Sequence, residues 1–335
     1  MSESPEALIV MSPDSLGEVY DAERIGRVAE RVNLLSEPVS AEVLSESPEW
    51  LARVEVMLTG WGVPRMDTEF LVAAPRLRGV FHGAGSVRSF VTDAVWDRGL
   101  TVTSAASANA VPVAQFCQAQ VFLLLKQAYK MVGVYADQRV APWRLRDTVT
   151  GAVGARVGLI SFGLIARLVA EALRPHGFDI VVYDPFVSDE VAKACGVKLV
   201  DLDTVFATSD VVSLHTPLLD ETRGMIRGEH LRSMRSGSSF LNTARGAVVN
   251  EPEMCDVLAE RPDLTAVLDV THPEPPSADS PLWTLPNVVL TPHIAGALGR
   301  ECGRLGEHAV TQLFAYLDNR PIDGLVTQTS FQRMA

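Results

Sequence analysis

The chain has 335 residues, 47% hydrophobic and 21% charged, a composition of the soluble globular kind and a length that accommodates two domains of ordinary size. A formal net charge of −12 repels phosphate backbones and anionic lipid, which argues against nucleic acid or a membrane as partner. The four cysteines, Cys117, Cys195, Cys255 and Cys302, make no C-x-x-C pair, so no metal site or redox dithiol is signalled and a reduced, cytoplasmic setting is expected.

In chain order, the acidic start "MSESPEALIV" lacks the basic flank and longer apolar core of a signal peptide. Short β-branched runs then alternate with segments of helical period: "ALIVMS", "VEVMLTG", "RGVFHG" and "TVTS", and later "RVGLISF", "DIVVYD", "VVSLHT", "SSFLNT", "LTAVLDV" and "NVVLTP". Such alternation predicts an α/β protein with parallel sheets covered by helices, and these runs are too many for one short sheet. Residues 109–134 read as one long apolar helix, followed by a connecting loop over 135–153. The basic residues of that loop, Arg139, Arg144 and Arg146, are interleaved with Asp137 and Asp147 and read as a solvated connection. "VFLLLKQAYKMVGVY" is interrupted by Lys126 and Lys130 and too short to span a bilayer. A helix over about Gly299 to Asp318 is placed to return the chain to the first of two doubly wound units.

"VGLISFGLIA" resembles a dinucleotide-binding glycine loop in which only the middle glycine of G-x-G-x-x-G survives. The second position must admit the pyrophosphate against bare backbone, and here it is Gly163; Ala166 is tolerated at the third, and Ser161 replaces the glycine of the tight turn. The rival G-x-S-x-G nucleophile elbow fails because Leu159 stands where its first glycine belongs. A strand, a helix "IARLVAEALRPHG" and a second strand ending in Asp184 give the loop its βαβ context. The amides of Leu164 and Ile165 at the helix start would then meet the pyrophosphate, and Asp184 would accept the ribose 2′-hydroxyl, selecting NAD over NADP.

Reduction of a 2-keto acid needs a fixed cation for the carboxylate and a proton donor for the nascent alkoxide. Arg245 in "NTARG" suits the first, because a guanidinium grips a carboxylate with two parallel hydrogen bonds. His293 in "TPHIAG" suits the second, and Glu274 in "LDVTHPEP" is placed to orient its imidazole.

The ordered set "NTARG", "LDVTHPEP" and "TPHIAG", with "YDP" at Asp184, "LHTPLLDETRGMI" and "GAGSV", resembles the D-isomer-specific 2-hydroxyacid dehydrogenases from about Arg78 to His308. That resemblance implies a flavodoxin-like substrate domain, residues 1–107 with 302–335, interrupted by a Rossmann-type NAD-binding domain over 108–301. It implies Arg245, Glu274 and His293 as the catalytic group, with His293, Thr243, Ala244 and Asp269 near the nicotinamide. His215, Pro217 and Thr222 would line the cofactor; Ala84 and Gly85, with Asn109, would hold the substrate across the cleft between domains. By the same resemblance the protein is a homodimer joined through the helix near Val113 to Lys130. Many members carry glycine at the Ser161 position, a polar or basic residue at Leu164, and Glu at Gln115. Asn109 also resembles the formate dehydrogenase branch, but Glu274 stands where that branch has Gln and so favours keto-acid reduction. Corepressor members of the family offer the other alternative, an NADH-sensing adaptor, as does a phosphite-type oxidation.

Overall fold

The computed structural model describes residues 4–139, 149 and 151–334. Its strands are β1 (Glu6–Val10), β2 (Asn33–Leu34), β3 (Val56–Thr59), β4 (Gly79–His82), β5 (Thr101–Ser104), β6 (Arg156–Ile160), β7 (Asp179–Tyr183), β8 (Lys198–Leu199), β9 (Val211–Leu214), β10 (Ser239–Asn242), β11 (Thr265–Leu268), β12 (Val288–Leu290) and β13 (Leu325–Val326). The chain divides into a first unit, Met1–Ala110 with Ala297–Met334, and a second, Val111–Gly296. These changeovers fall three residues after and five residues before those placed from the sequence, at 107/108 and 301/302.

In the first unit the sheet order is β13-β5-β4-β3-β1-β2, parallel except for β13, which runs antiparallel to β5. Alternate residues of β1 serve opposite cores. Leu8 and Val10 join one apolar cluster, Ala7 and Ile9 the other, as the period-2 pleat requires of a strand covered on both faces. The helix Cys302–Leu317 packs Leu305, Ala309, Val310 and Leu313 into the second of these clusters.

In the second unit the order β12-β11-β10-β9-β6-β7-β8 is parallel throughout, with β6 at the point where the winding reverses. This is the doubly wound dinucleotide-binding topology, whose crevice opens beyond the carboxyl ends of β6 and β9. Val157 and Leu159 of β6 face one core and Ile160 the other.

All ten sequence-assigned runs form strands; the three that the pattern does not show, β2, β8 and β13, are two residues long and carry no period. The expected single helix over 109–134 is two helices, Ala106–Leu125 and Ala128–Gln138. Gln127 breaks it, buried and in the left-handed region at φ +50°, with no glycine or proline to announce the turn. The second helix extends to Gln138, into the segment expected as loop; Arg144, Arg146 and Asp147 lie outside the described residues. The helix Ala106–Leu125, at 20 residues, is long and apolar enough to cross a membrane by length and composition, unlike the run weighed from sequence. Half of it is buried, and Val113, Cys117, Val121 and Leu124 belong to the core beside β6, which accounts for its apolar character.

Candidate active site

The turn after β6 answers the question of the missing glycine. Ser161 adopts φ +69°, the left-handed conformation that glycine serves in such turns, so the backbone shape is kept with a side chain in place. Its Oγ lies 2.9 Å from Thr216 Oγ1, joining the lips of the crevice between the β6 and β9 turns. Thr216 lies inside the quoted "LHTPLLDETRGMI", between His215 and Pro217, but its bond to Ser161 has no local sequence signature.

Gly163 caps the helix Leu164–Leu173 with φ −75° and no side-chain cap, and a Cβ placed there would meet nothing within 4 Å. The chain itself therefore does not require glycine at this position; the space is left open in front of the amides of Leu164 and Ile165. An uncapped helix start beside open space is an anion cradle. Asp184 follows β7 and accepts from the Phe162 amide at 2.7 Å through Oδ2 and from the Phe186 amide at 2.8 Å through Oδ1. Its carboxylate so ties the glycine loop to the next turn, and each oxygen retains a lone pair for a further donor.

Beyond β9, His215 Nε2 lies 3.0 Å from Ser213 Oγ, whereas its buried Nδ1 has no partner among the described residues. Burial pushes this imidazole down to about 4, so it is neutral at pH 7. Thr222 closes its own turn, its Oγ1 accepting from the Leu219 amide at 2.8 Å and donating to the Pro217 carbonyl at 2.6 Å. The open cradle and the orphaned imidazole nitrogen fit a dinucleotide along the carboxyl ends of β6 and β9.

Arg245, Glu274 and His293 follow β10, β11 and β12, three adjacent strands, so all leave the same edge of the sheet. His293 Nδ1 and Glu274 Oε1 are 2.6 Å apart, both side chains roughly half exposed. His293 sits in a tight turn at φ +55°, its amide donating to the carbonyls of Asp269 and Thr291. The buried Asp269 fixes that turn: Oδ1 accepts from Thr291 Oγ1 at 2.6 Å and the Ile294 amide at 2.8 Å, and Oδ2 from the Ala295 amide at 2.9 Å. Its carboxylate is thus directed at the loop that carries His293.

The Arg245 turn is shaped by Asn242, whose amide group accepts from the Ala244 N–H and donates to the Arg245 carbonyl. Thr243 Oγ1 lies 3.3 Å from the buried Cys117 Sγ. A Cβ on Gly246 would stand 2.0 Å from the Thr271 backbone carbon, so the loops bearing Arg245 and Glu274 touch backbone to backbone there. Gly246 lies inside the quoted "NTARG" segment, yet a close approach between loops has no local sequence signature.

Of the residues expected to hold substrate, Ala84, Gly85 and Asn109 lie in the first unit and Arg245 in the second. Ser104 Oγ donates to the Gly85 carbonyl at 2.6 Å, the Ala84 carbonyl accepts from the Ala105 amide, and Asn109 Oδ1 accepts from the Ala297 amide at 2.9 Å. Ala84, Gly85 and Asn109 thus belong to a bonded cluster around the end of β5.

Residues 121–295 match the family described as D-isomer specific 2-hydroxyacid dehydrogenase, NAD binding domain. The chain is 33% identical to a D-3-phosphoglycerate dehydrogenase of Archaeoglobus fulgidus over 76% of its own length and 47% of that protein. It is 35% identical to an (S)-sulfolactate dehydrogenase of Chromohalobacter salexigens, over 69% of this chain and 75% of the other. The chain spans about half the length of the D-3-phosphoglycerate dehydrogenases it matches. The solved glyoxylate reductase from Paecilomyes thermophila shares the fold, with a TM-score of 0.77 at 22% identity over 98% of this chain and 100% of that one. A doubly wound second unit with the loop, acid and ordered Arg-Glu-His set just described, matched over that unit by an NAD-binding domain, makes this chain a member of the D-isomer specific 2-hydroxyacid dehydrogenase family.

Proposed function

We propose that the protein is an NAD(H)-dependent oxidoreductase that interconverts a small 2-keto acid and its D-2-hydroxy acid. The observation that carries this reading is the 2.6 Å pair of His293 and Glu274 on a turn pinned by Asp269. Because Nδ1 is engaged by the carboxylate, Nε2 is the nitrogen left to exchange a proton, and the carboxylate holds the ring in that orientation. Arg245 binds the substrate carboxylate, and Ala84, Gly85 and Asn109 complete its binding. Leu164 and Ile165 hold the pyrophosphate, Asp184 the ribose, and His215 with Pro217 and Thr222 borders the cofactor; Thr243, Ala244 and Asp269 adjoin the nicotinamide. When bound, that cofactor supplies or accepts the hydride. His293 gives the proton to the alkoxide oxygen in reduction and removes it in oxidation.

The substrate class follows from the cation and the proton donor together, and glyoxylate and hydroxypyruvate are the first members to assay. The reading includes a cytoplasmic homodimer with neither nucleic acid nor membrane as partner. A formate or phosphite anion would be held by the Nδ2 donors of Asn109, since its side-chain oxygen accepts from the Ala297 amide, and assay of NAD reduction with those anions separates that reading. The test is a panel of 2-keto acids with NADH and with NADPH, read at the nicotinamide absorbance. Turnover is expected with NADH, strongly reduced with NADPH, and lost in His293→Ala while NADH still binds. Equal loss of NADH binding in that variant, or no turnover across the panel, would overturn the assignment.

A further inference from the structure

Beside the helix Cys302–Leu317, the first unit contains a cavity of about 600 Å³ whose charged lining is Arg24, Arg300, Arg304, Glu307, His308 and Asp323. Two of its cations are unanswered. Among the described residues, Arg300 and Arg304 have neither a hydrogen-bond nor an ion-pair partner, and both are exposed. They stand four residues apart, one in the turn Gly299–Glu301 and one in the first turn of the helix, where like charges at that spacing repel.

The carboxylates of the lining do not relieve them. Glu307 is gripped by Arg27 through two hydrogen bonds of 2.8 and 2.9 Å, and Arg24 is paired with Asp21 at 2.6 Å. A shielded nitrogen adds to the shortage of acceptors. Arg24 Nε, 3.6 Å from the Glu307 carboxylate, is buried without a hydrogen-bond partner among the described residues. A buried polar atom left unpaired is costly, and an acceptor brought into the cavity would remove that cost.

We propose that this cavity binds a small oxyanion, carrying a phosphate or a pair of carboxylates, through Arg300, Arg304 and Arg24. The planar guanidinium presents parallel donors that match both groups, which a spherical halide cannot use. Arg24, Arg300 and Arg304 outnumber the carboxylates of Glu307 and Asp323 in the lining, so a multiply charged oxyanion gains more there than a monoanion, and Asp323 lessens that preference. None of these residues belongs to the set proposed for catalysis or for the cofactor, and the inference stands or falls apart from that reading.

The experiment is titration calorimetry of the full chain with inorganic phosphate and, separately, malonate, at constant ionic strength and with and without saturating NADH. Saturable binding of at least one of the two anions is expected, at one per chain, unaffected by NADH and weakened tenfold or more in the double variant Arg300→Gln/Arg304→Gln. The preferred anion then identifies the group recognised. Equal affinity in the wild type and the double variant would overturn the proposal, and displacement by NADH would assign the anion to the helix start at Gly163 instead. Absence of saturable binding by either anion would overturn it as well. A second measurement needs no variant: phosphate or malonate should protect Arg300 and Arg304 of the wild type from phenylglyoxal, mapped by peptide mass spectrometry, and undiminished modification at saturation would count against the site.

Discussion

At the scale of single residues, Ser161 balances two opposed effects. Its left-handed backbone costs an L side chain on the order of 1–2 kcal/mol, and its hydroxyl bond to Thr216 returns about 1 kcal/mol. Ser161→Gly removes both and frees the unfolded chain, so its stability should stay within about 1 kcal/mol of wild type. Ser161→Ala keeps the strain and loses the bond, and should be less stable by about 1 kcal/mol. Urea unfolding that fails to rank alanine below both others would refute this balance. NADH affinity of the glycine variant should change by no more than a few-fold; a larger change would give the hydroxyl a binding role. Asp269 is a positioning residue by the same reasoning, because an amide in its place must turn a donor toward one of the three donors it now satisfies. Asp269→Asn is expected to lower kcat at least tenfold as the His293 turn loosens, with the NADH dissociation constant changing much less. An unchanged kcat would mean that the turn holds without the carboxylate.

At the scale of elements, the site depends on how closely neighbouring loops approach. The loops after β10 and β11 touch at Gly246, where even one added carbon has no room against the Thr271 backbone. Gly246→Ala must therefore push apart the segments that carry Arg245 and Glu274. We expect a destabilisation of about 2 kcal/mol or more, of the size that overpacking produces, with loss of turnover before loss of NADH binding. An alanine variant of wild-type stability and activity would show that these loops move apart freely. The strands that frame the site were legible in the sequence because a strand covered on both faces is a largely apolar run, as in β6 and β11. The helix break was not, because Gln127 adopts a left-handed conformation with no glycine or proline there to signal it. Ser161 shows the same limit: the residue reads as a departure, while its backbone angle keeps the turn.

At the scale of the whole molecule, each unit buries an imidazole that resists protonation. Burial pushes His82 down to about 4, where its Nδ1 lies 2.9 Å from Thr59 Oγ1, and holds His215 near the same value. An unfolded histidine titrates near about 6.5, so between these values the unfolded chain binds more protons than the folded one. The stability involved is fully present above about pH 6.5 and falls as the pH drops toward 4, by up to about 1.4 kcal/mol per pH unit for each histidine. His82→Asn should flatten the fall between pH 6.5 and 4.5 in denaturant unfolding. A slope equal to wild type would show that His82 is protonated in the folded state.

The sequence by itself determined the α/β alternation, the βαβ unit ending in Asp184, and the order of Arg245, Glu274 and His293, because each is a local pattern or a spacing along one chain. Only the tertiary structure decided that Ser161 is joined to Thr216, that Asp269 pins the His293 turn, and that Arg300 and Arg304 share a cavity with Arg24. Arg24 and Arg304 are 280 residues apart in the sequence, and contacts at such separations arise from the packing of distant elements, which no local pattern of side chains records.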